Sequence, residues 1–449
     1  MIIHPLDNVE VREDGHKYAL RKIAAGENII KYGMPIGHAT REIAAGEHVH
    51  VGNMKTNLGE VLEYRYEPSF VDLKREESPK IQAYRRADGR IGIRNEIWVV
   101  PLVGCVNRLA ERLAASCGGI ALTHPYGCSQ MGADHELTAN MLAQLCHHPN
   151  AGGVLVVALG CENNTLESFK VRLGDYSKLN IRFLRAQEAG DEFERGKELI
   201  RELEGAREKC RVEVSAAELV VGLKCGGSDG FSGLTANPLV GRFSDWLVAR
   251  GGSTILTEVP EMFGAETLLM KRCRTRQIFD KCVKMINDFK AYYAAHGQVC
   301  SENPSPGNKA GGITTLEDKS LGCVQKGGSA PVEDVLGMGC AVKAHGLSLA
   351  TGPGNDLVAS TILAAAGCHL ILFTTGRGTP FGSVVPTIKI ATNDALAANK
   401  PNWIDWNAMS NPDTEEFAAK VLAVANGEQT QNEKAGAQAI ALFKDGVTL

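Results

Sequence analysis

The sequence predicts an α/β protein, with a small N-terminal β module ahead of middle and C-terminal domains built on parallel sheets. Three observations predict it. Short apolar runs recur between residues 97 and 391, and most end in turns rich in glycine; buried parallel strands hand over to loops in this way. Stretches of helical character separate many of the runs, as strand–helix–strand units with right-handed crossovers require. Before residue 68 the grammar differs, with short β-rich stretches in place of helical ones. A chain of 449 residues is long enough for two or three domains with cores of their own.

In chain order, residues 1–68 form the β module. Leu20–Glu27 and Thr40–Glu47 echo each other, each placing Ala-Gly-Glu between β-rich stretches, which reads as a pair of turns. The second turn leads into His48-Val49-His50, whose histidines would share one face of a strand. Residues 69–81 are charged, proline-bearing and aperiodic, and read as a linker. The middle domain, 82–212, carries strands at 97–103, 119–123 and 154–159, which run into Gly104-Cys105, the turn bearing Gly127-Cys128, and Gly160-Cys161. The C-terminal domain, 213–449, opens on an apolar run at 219–223 and the turn 224–233 (KCGGSDGFSG). Further strands are expected at 253–257, 346–350, 370–374 and 387–391, with helices at 414–425 and 435–443. Asn303–Gly328 is too long and too dense in turn residues for an idle loop, and reads as part of a site.

Composition excludes several classes. A formal net charge of −4 argues against nucleic acid or an anionic membrane as partner. No apolar run approaches the ~20 residues that span a bilayer. The N-terminus lacks the apolar core of a secretory signal. Thirteen scattered cysteines suit reduced thiols in the cytoplasm better than a disulfide framework.

Ligands of open α/β sheets sit beyond the carboxyl ends of the strands, so the turns there are where chemistry is expected. Cys105, Cys128 and Cys161 would converge on one sheet edge, where three thiolates suit an iron–sulfur cluster or another soft-metal site. Buried cysteines acting as small apolar residues are the plain alternative. An oxygen-rich set, Asp229, Glu258, Glu261, Glu266, Asn355 and Asp356, would suit Fe2+ or Mn2+, or consist of ordinary caps and solvated acids. A cationic set, Arg94, Lys309, Lys319, Lys326, Arg377 and Lys389, lies in or beside glycine-rich segments and could hold a carboxylate. There is no GxGxxG fingerprint, GxxxxGK[ST] loop or CxxC pair, so nicotinamide and ATP binding have no motif support.

The longer motifs carry a resemblance. Gly92-Ile93-Arg94-Asn95, the three Gly-Cys strand ends, Leu223–Pro238, Glu258–Glu266, Asn303–Gly322 and Thr374–Gly382 resemble the altronate/galactarate dehydratase family. The early module, with Lys31–Gly37 and Gly46–His50, resembles that family's β-clip (SAF-type) domain. The resemblance implies a dimerising middle domain and a Rossmann-like C-terminal domain without a dinucleotide. It also implies an iron-dependent dehydratase acting on a small sugar acid. For altronate the product would be 2-dehydro-3-deoxy-gluconate; galactarate-type dehydration, sulfite release from sulfolactate and plain sugar-acid binding are the alternatives. On this reading Arg94 and Arg377 hold the carboxylate, with Asn95, Ser228, Asp229 and Thr379 as further substrate contacts. His50, His124 and Lys309 are candidate bases, Glu258 is a further catalytic candidate, and iron on Cys105, Cys128 and Cys161 expels the hydroxyl.

Overall fold

The computed structural model describes residues 1, 4–58 and 63–449. The N-terminal module folds as two three-stranded sheets, Val9–Val11, Lys17–Ala19 and His48–Val49 in one, Asn28–Lys31, Met34–Ala39 and Met54–Lys55 in the other. The echo in the sequence is an echo in space. Ile23 and Ile43, both fully buried, bridge to each other, and each flanking turn closes with the same bonds. Glu27 accepts from Ala24 N–H at 2.9 Å and Arg21 at 2.6 Å, and Glu47 accepts from Ala44 N–H and Arg41 at the same two distances. Gly26 and Gly46 supply the left-handed backbone, at φ of 80° and 77°, that each turn needs.

The middle domain has a four-stranded parallel sheet, ordered Ile120–Ala121, Ile97–Pro101, Gly153–Ala158, Ile181–Arg185. Helices Asn107–Cys117 and Glu192–Ala206 pack on one face, Gly132–Cys146 and Leu166–Leu173 on the other. Strands Lys80–Arg85 and Val212–Ser215 pair antiparallel and so tie the two ends of this domain together.

The C-terminal sheet has seven parallel strands, ordered Val332–Leu336, Gly346–Ala350, Ser253–Leu256, Val220–Cys225, Leu370–Thr375, Thr387–Ala391, Trp406–Asn407. The chain lays Ser253–Leu256, the edge strand Val332–Leu336 and then Gly346–Ala350 between them on one side of Val220–Cys225, before crossing to Leu370–Thr375 and building outward on the other. Crevices at such a reversal of strand order are where ligands bind. Helices Ala236–Ala249 and Thr414–Ala425 cover one face and Asp356–Ala365 the other, where Ile362 and Phe373 join the apolar cluster of the middle sheet. The helix expected at 435–443 does not form. Gly436 takes φ 61°, and Gln438–Ala439 instead pairs with Gly382–Ser383.

The N-terminal module is fastened to the C-terminal domain by a buried charge triad. Asp318 accepts from Lys17 Nζ at 2.7 Å and Lys31 Nζ at 3.0 Å, all three side chains being essentially sealed from water. Burial would raise the Asp318 carboxyl, but the two ammonium groups outweigh it and hold it well below the usual range. Asp318→Asn leaves two buried ammonium groups facing an amide. Removing one member of such a set costs about 3–5 kcal/mol, so urea unfolding should shift by that amount. A carboxyl whose folded pKa is depressed stabilises above its unfolded value, about 4, and the wild-type contribution should fade as pH falls below it.

Candidate active site

The site is built at the carboxyl end of Val220–Cys225. Lys224 is the last residue but one of that buried strand, and its ammonium is enclosed by protein. It donates to Glu258, to Asp356 Oδ1 at 2.9 Å and to the Cys225 carbonyl at 2.6 Å, which uses all three of its donors. Glu258 follows the neighbouring strand Ser253–Leu256 and is held at φ 72°, a left-handed conformation that costs a non-glycine residue about 1–2 kcal/mol. Its second oxygen accepts from Cys225 N–H at 2.9 Å and lies 3.6 Å from Lys326 Nζ. Burial first, and the Cys225 thiol second, push the Glu258 carboxyl up to about 8, against the pull of Lys224 and Lys326.

A second layer faces the opening. Lys319, on helix Leu316–Cys323, donates to Glu261 at 2.8 Å and to Asn303 Oδ1 at 2.9 Å. One Glu261 oxygen takes Lys319 and the Asn303 amide, while the other is buried with no hydrogen-bond partner. Both residues line a cavity of about 820 Å³, large enough for a small organic acid. Its walls come from the turns after three adjacent strands, Cys225–Ser228, Pro260–Glu261 and Pro353–Asp356, and from helix Arg276–Ala295. Gly226 is required here, because a Cβ would sit 2.5 Å from Phe373 and 2.6 Å from Asp356.

An acid-sized cavity that presents Lys319, Glu261 and Asp356 fits a sugar-acid enzyme, and comparison with known proteins decides the family. Residues 216–448 match the model for D-galactarate/altronate dehydratase, C-terminal. Residues 83–207 match D-galactarate dehydratase/altronate hydrolase, second domain, and 4–57 match the altronate/galactarate dehydratase SAF domain. The chain belongs to the altronate/galactarate dehydratase family. It is 52% identical to altronate dehydratase of Bacillus subtilis and 52% identical to altronate dehydratase of Escherichia coli, each over 98% of this chain and 94% of the relative. It is 32% identical to galactarate dehydratase (L-threo-forming) of Escherichia coli, over 95% of this chain and 84% of that one.

The structure brings some of the expected residues to this family member's cavity and removes others. Ser228 lines it, and Glu258 stands directly behind the wall. Arg377 is exposed beside it, donating to the Gly307 carbonyl at 3.3 Å. Arg94 is not a substrate contact: its guanidinium is buried and forked onto Glu433 at 2.6 and 3.0 Å, with the carbonyls of Val424 and Glu428 taking further donors. Asn95 is likewise spent, on Arg86 and the Glu208 carbonyl. Asp229 is saturated by Ser232, Thr392 and Asn393 and ties the Ser228–Gly233 turn to the 392–393 turn. Thr379 offers its carbonyl to Lys389 at 2.5 Å, outside the lining.

Among the expected bases, His124 is excluded. It is buried, donates from Nε2 to the Pro101 carbonyl at 2.8 Å and accepts Tyr126 N–H, and burial lowers its pKa to about 4. Lys309 is exposed and outside the lining. His50 belongs to a histidine group on the N-terminal module: its ring centroid is 5.0 Å from that of His48, which is 5.0 Å from that of His16. The adjoining Gly15 turn rests on Gly230 and Gly312.

The three cysteine-bearing turns do meet on one sheet edge, through Gly104 N–H to the Tyr126 carbonyl at 2.9 Å and Asn164 N–H to the Gly127 carbonyl at 3.0 Å. The three cysteines themselves are exposed. Among the described residues no three His, Cys, Asp or Glu side chains are grouped to hold a metal ion, so the chain's side chains as they stand do not make the expected iron site.

Sequence reading missed Lys224 and Cys323. The signal for Lys224 was present: a lysine set at the end of a buried apolar run, directly before Cys-Gly-Gly, must have buried partners. Below about pH 8 Glu258 keeps its proton; above it, a new negative charge behind the wall further offsets the lysines. KM for an anionic substrate should therefore rise as pH passes upward through about 8, and Glu258→Gln should flatten that limb.

Proposed function

We propose that this protein dehydrates D-altronate to 2-dehydro-3-deoxy-D-gluconate and water. Similarity along nearly the whole chain to altronate dehydratases supports the reaction and substrate. The observation that carries the site assignment is the Lys319–Glu261 pair in the cavity wall, with one carboxylate oxygen left without a partner. We assign the substrate carboxylate to Lys319. The unpaired oxygen of Glu261 is the base that takes the C2 proton.

That proton is weakly acidic, because the charge left behind joins an already negative carboxylate. Fixed positive groups aimed at the developing enediolate must supply much of the rate. Lys319 acts at the wall, and Lys224 and Lys326 add their field from behind it. The C3 hydroxyl takes up a proton and leaves as water, and the enol tautomerises to the 2-keto acid. Iron enters this reading through the family resemblance alone, and the steps here do not use it. Assays with and without Fe2+ or Mn2+, run anaerobically, read its contribution directly. We further infer a homodimer, as the resemblance implies, and a cytoplasmic setting, which the cysteines, all described as free thiols, support.

The test is product formation from a panel of hexonates, hexarates and sulfolactate. A 2-keto acid from altronate supports the proposal. Sulfite from sulfolactate would move the protein to sulfo-lyase chemistry, and substrates bound but recovered unchanged would favour a binding role. Lys319→Met and Glu261→Gln should each lower kcat/KM by about 10²–10⁴-fold, the usual loss when a positioned acid–base group is removed, with urea unfolding still cooperative.

A further inference from the structure

Cys225 and Cys323 are 98 residues apart in sequence, yet their sulfurs lie 3.3 Å from each other, Cys225 in the cavity wall and Cys323 behind it. Three lysines surround the pair. The hydrogen bond from Cys323 first, and then Lys326, Lys224 and Lys319, favour the ionised form of Cys225 and pull its thiol well below the ordinary value although little of it is exposed. Glu258, Glu261 and Asp356 are the acids facing the same lysines. A second buried pair, Cys273 and Cys282, lacks this setting: neither thiol lines a described cavity.

We propose that Cys225 and Cys323 are an oxidant-reactive dithiol that closes to a disulfide when a peroxide enters the cavity. The thiolate, not the thiol, is the nucleophile, and Cys225 is the member both ionised and open to the cavity. Its sulfur attacks one peroxide oxygen, the O–O bond breaks, and hydroxide leaves; Cys225 becomes a sulfenic acid. The Cys323 thiol then attacks the Cys225 sulfur, the S–O bond breaks, and the departing hydroxide takes the Cys323 proton to leave as water. The two sulfurs have given up two electrons and the peroxide has accepted them. Closure brings 3.3 Å to about 2.0 Å, a movement of just over one ångström.

Two consequences follow from position. The disulfide removes a negative charge from among three lysines, and it pulls on the end of helix Leu316–Cys323, which also carries Lys319. Loss of turnover on oxidation rests on the role given to Lys319 above; formation of the bond does not.

Peptide mapping of the full-length protein after hydrogen peroxide, without reduction, tests the proposal. The expected product joins the peptides of Cys225 and Cys323 and is lighter than their sum by two hydrogens, with Cys273 and Cys282 still free. Dithiothreitol should separate the peptides and restore the lost turnover. In Cys323→Ser the linked peptide and the recovery should both vanish. Should that variant not fold, the wild-type map alone decides. Cys225 left free while exposed cysteines oxidise, or Cys225 driven to sulfinic acid with Cys323 untouched, overturns the proposal. The map reads the thiols whatever the substrate proves to be.

Discussion

Everything at the carboxyl edge of the C-terminal sheet is arranged around one buried acid–lysine contact, Glu258 with Lys224. Bringing either charge out of water costs several kcal/mol, and the pair's attraction seldom returns more than that. The chain therefore surrounds both groups with partners, Lys224 with three acceptors and Glu258 with a backbone N–H and two ammonium groups. It also accepts a left-handed backbone at Glu258 to place that carboxylate. A pair bought at this cost adds little to stability, and strain of this kind gathers at functional sites. Its product is a fixed electrostatic field behind a cavity wall.

The same constraint explains the shape of the opening. With Lys224 sealed and Lys326 beside it, the cation that reaches the cavity is Lys319, set by Glu261 and Asn303. Its helix starts at Thr315, in the segment that also contributes Asp318 to the triad with Lys17 and Lys31. The N-terminal module thus braces the element that presents Lys319. Docking of that module and the geometry of the cavity are two aspects of one helix.

Central strands were legible in the sequence because they are buried on both faces and read as unbroken apolar runs, as at 154–158 and 370–374. Two edge strands were not: Val332–Leu336 has three half-buried residues between buried ends and carries two acids, and Ile181–Arg185 carries two arginines. For the site, the strand-end turns pointed to the right edge, so Glu258, Ser228 and the wider sets holding Lys319, Lys326 and Glu261 were within reach. Arg94 was misread because its partner, Glu433, is 339 residues away, and no local pattern announces a bond of that span. The three Gly-Cys turns were correctly expected to share an edge. Backbone pairing places the turns, however, and does not fix where the thiols point.

The central claim is that a sugar acid is held and deprotonated between Lys319 and Glu261. A crystal structure of the Glu261→Gln variant with altronate bound tests it most directly. The account predicts the altronate carboxylate within hydrogen-bond reach of Lys319 Nζ, with C2 turned toward residue 261. Altronate seated instead against His16, His48 and His50, or at the edge bearing Cys105, Cys128 and Cys161, with this cavity empty, would contradict it.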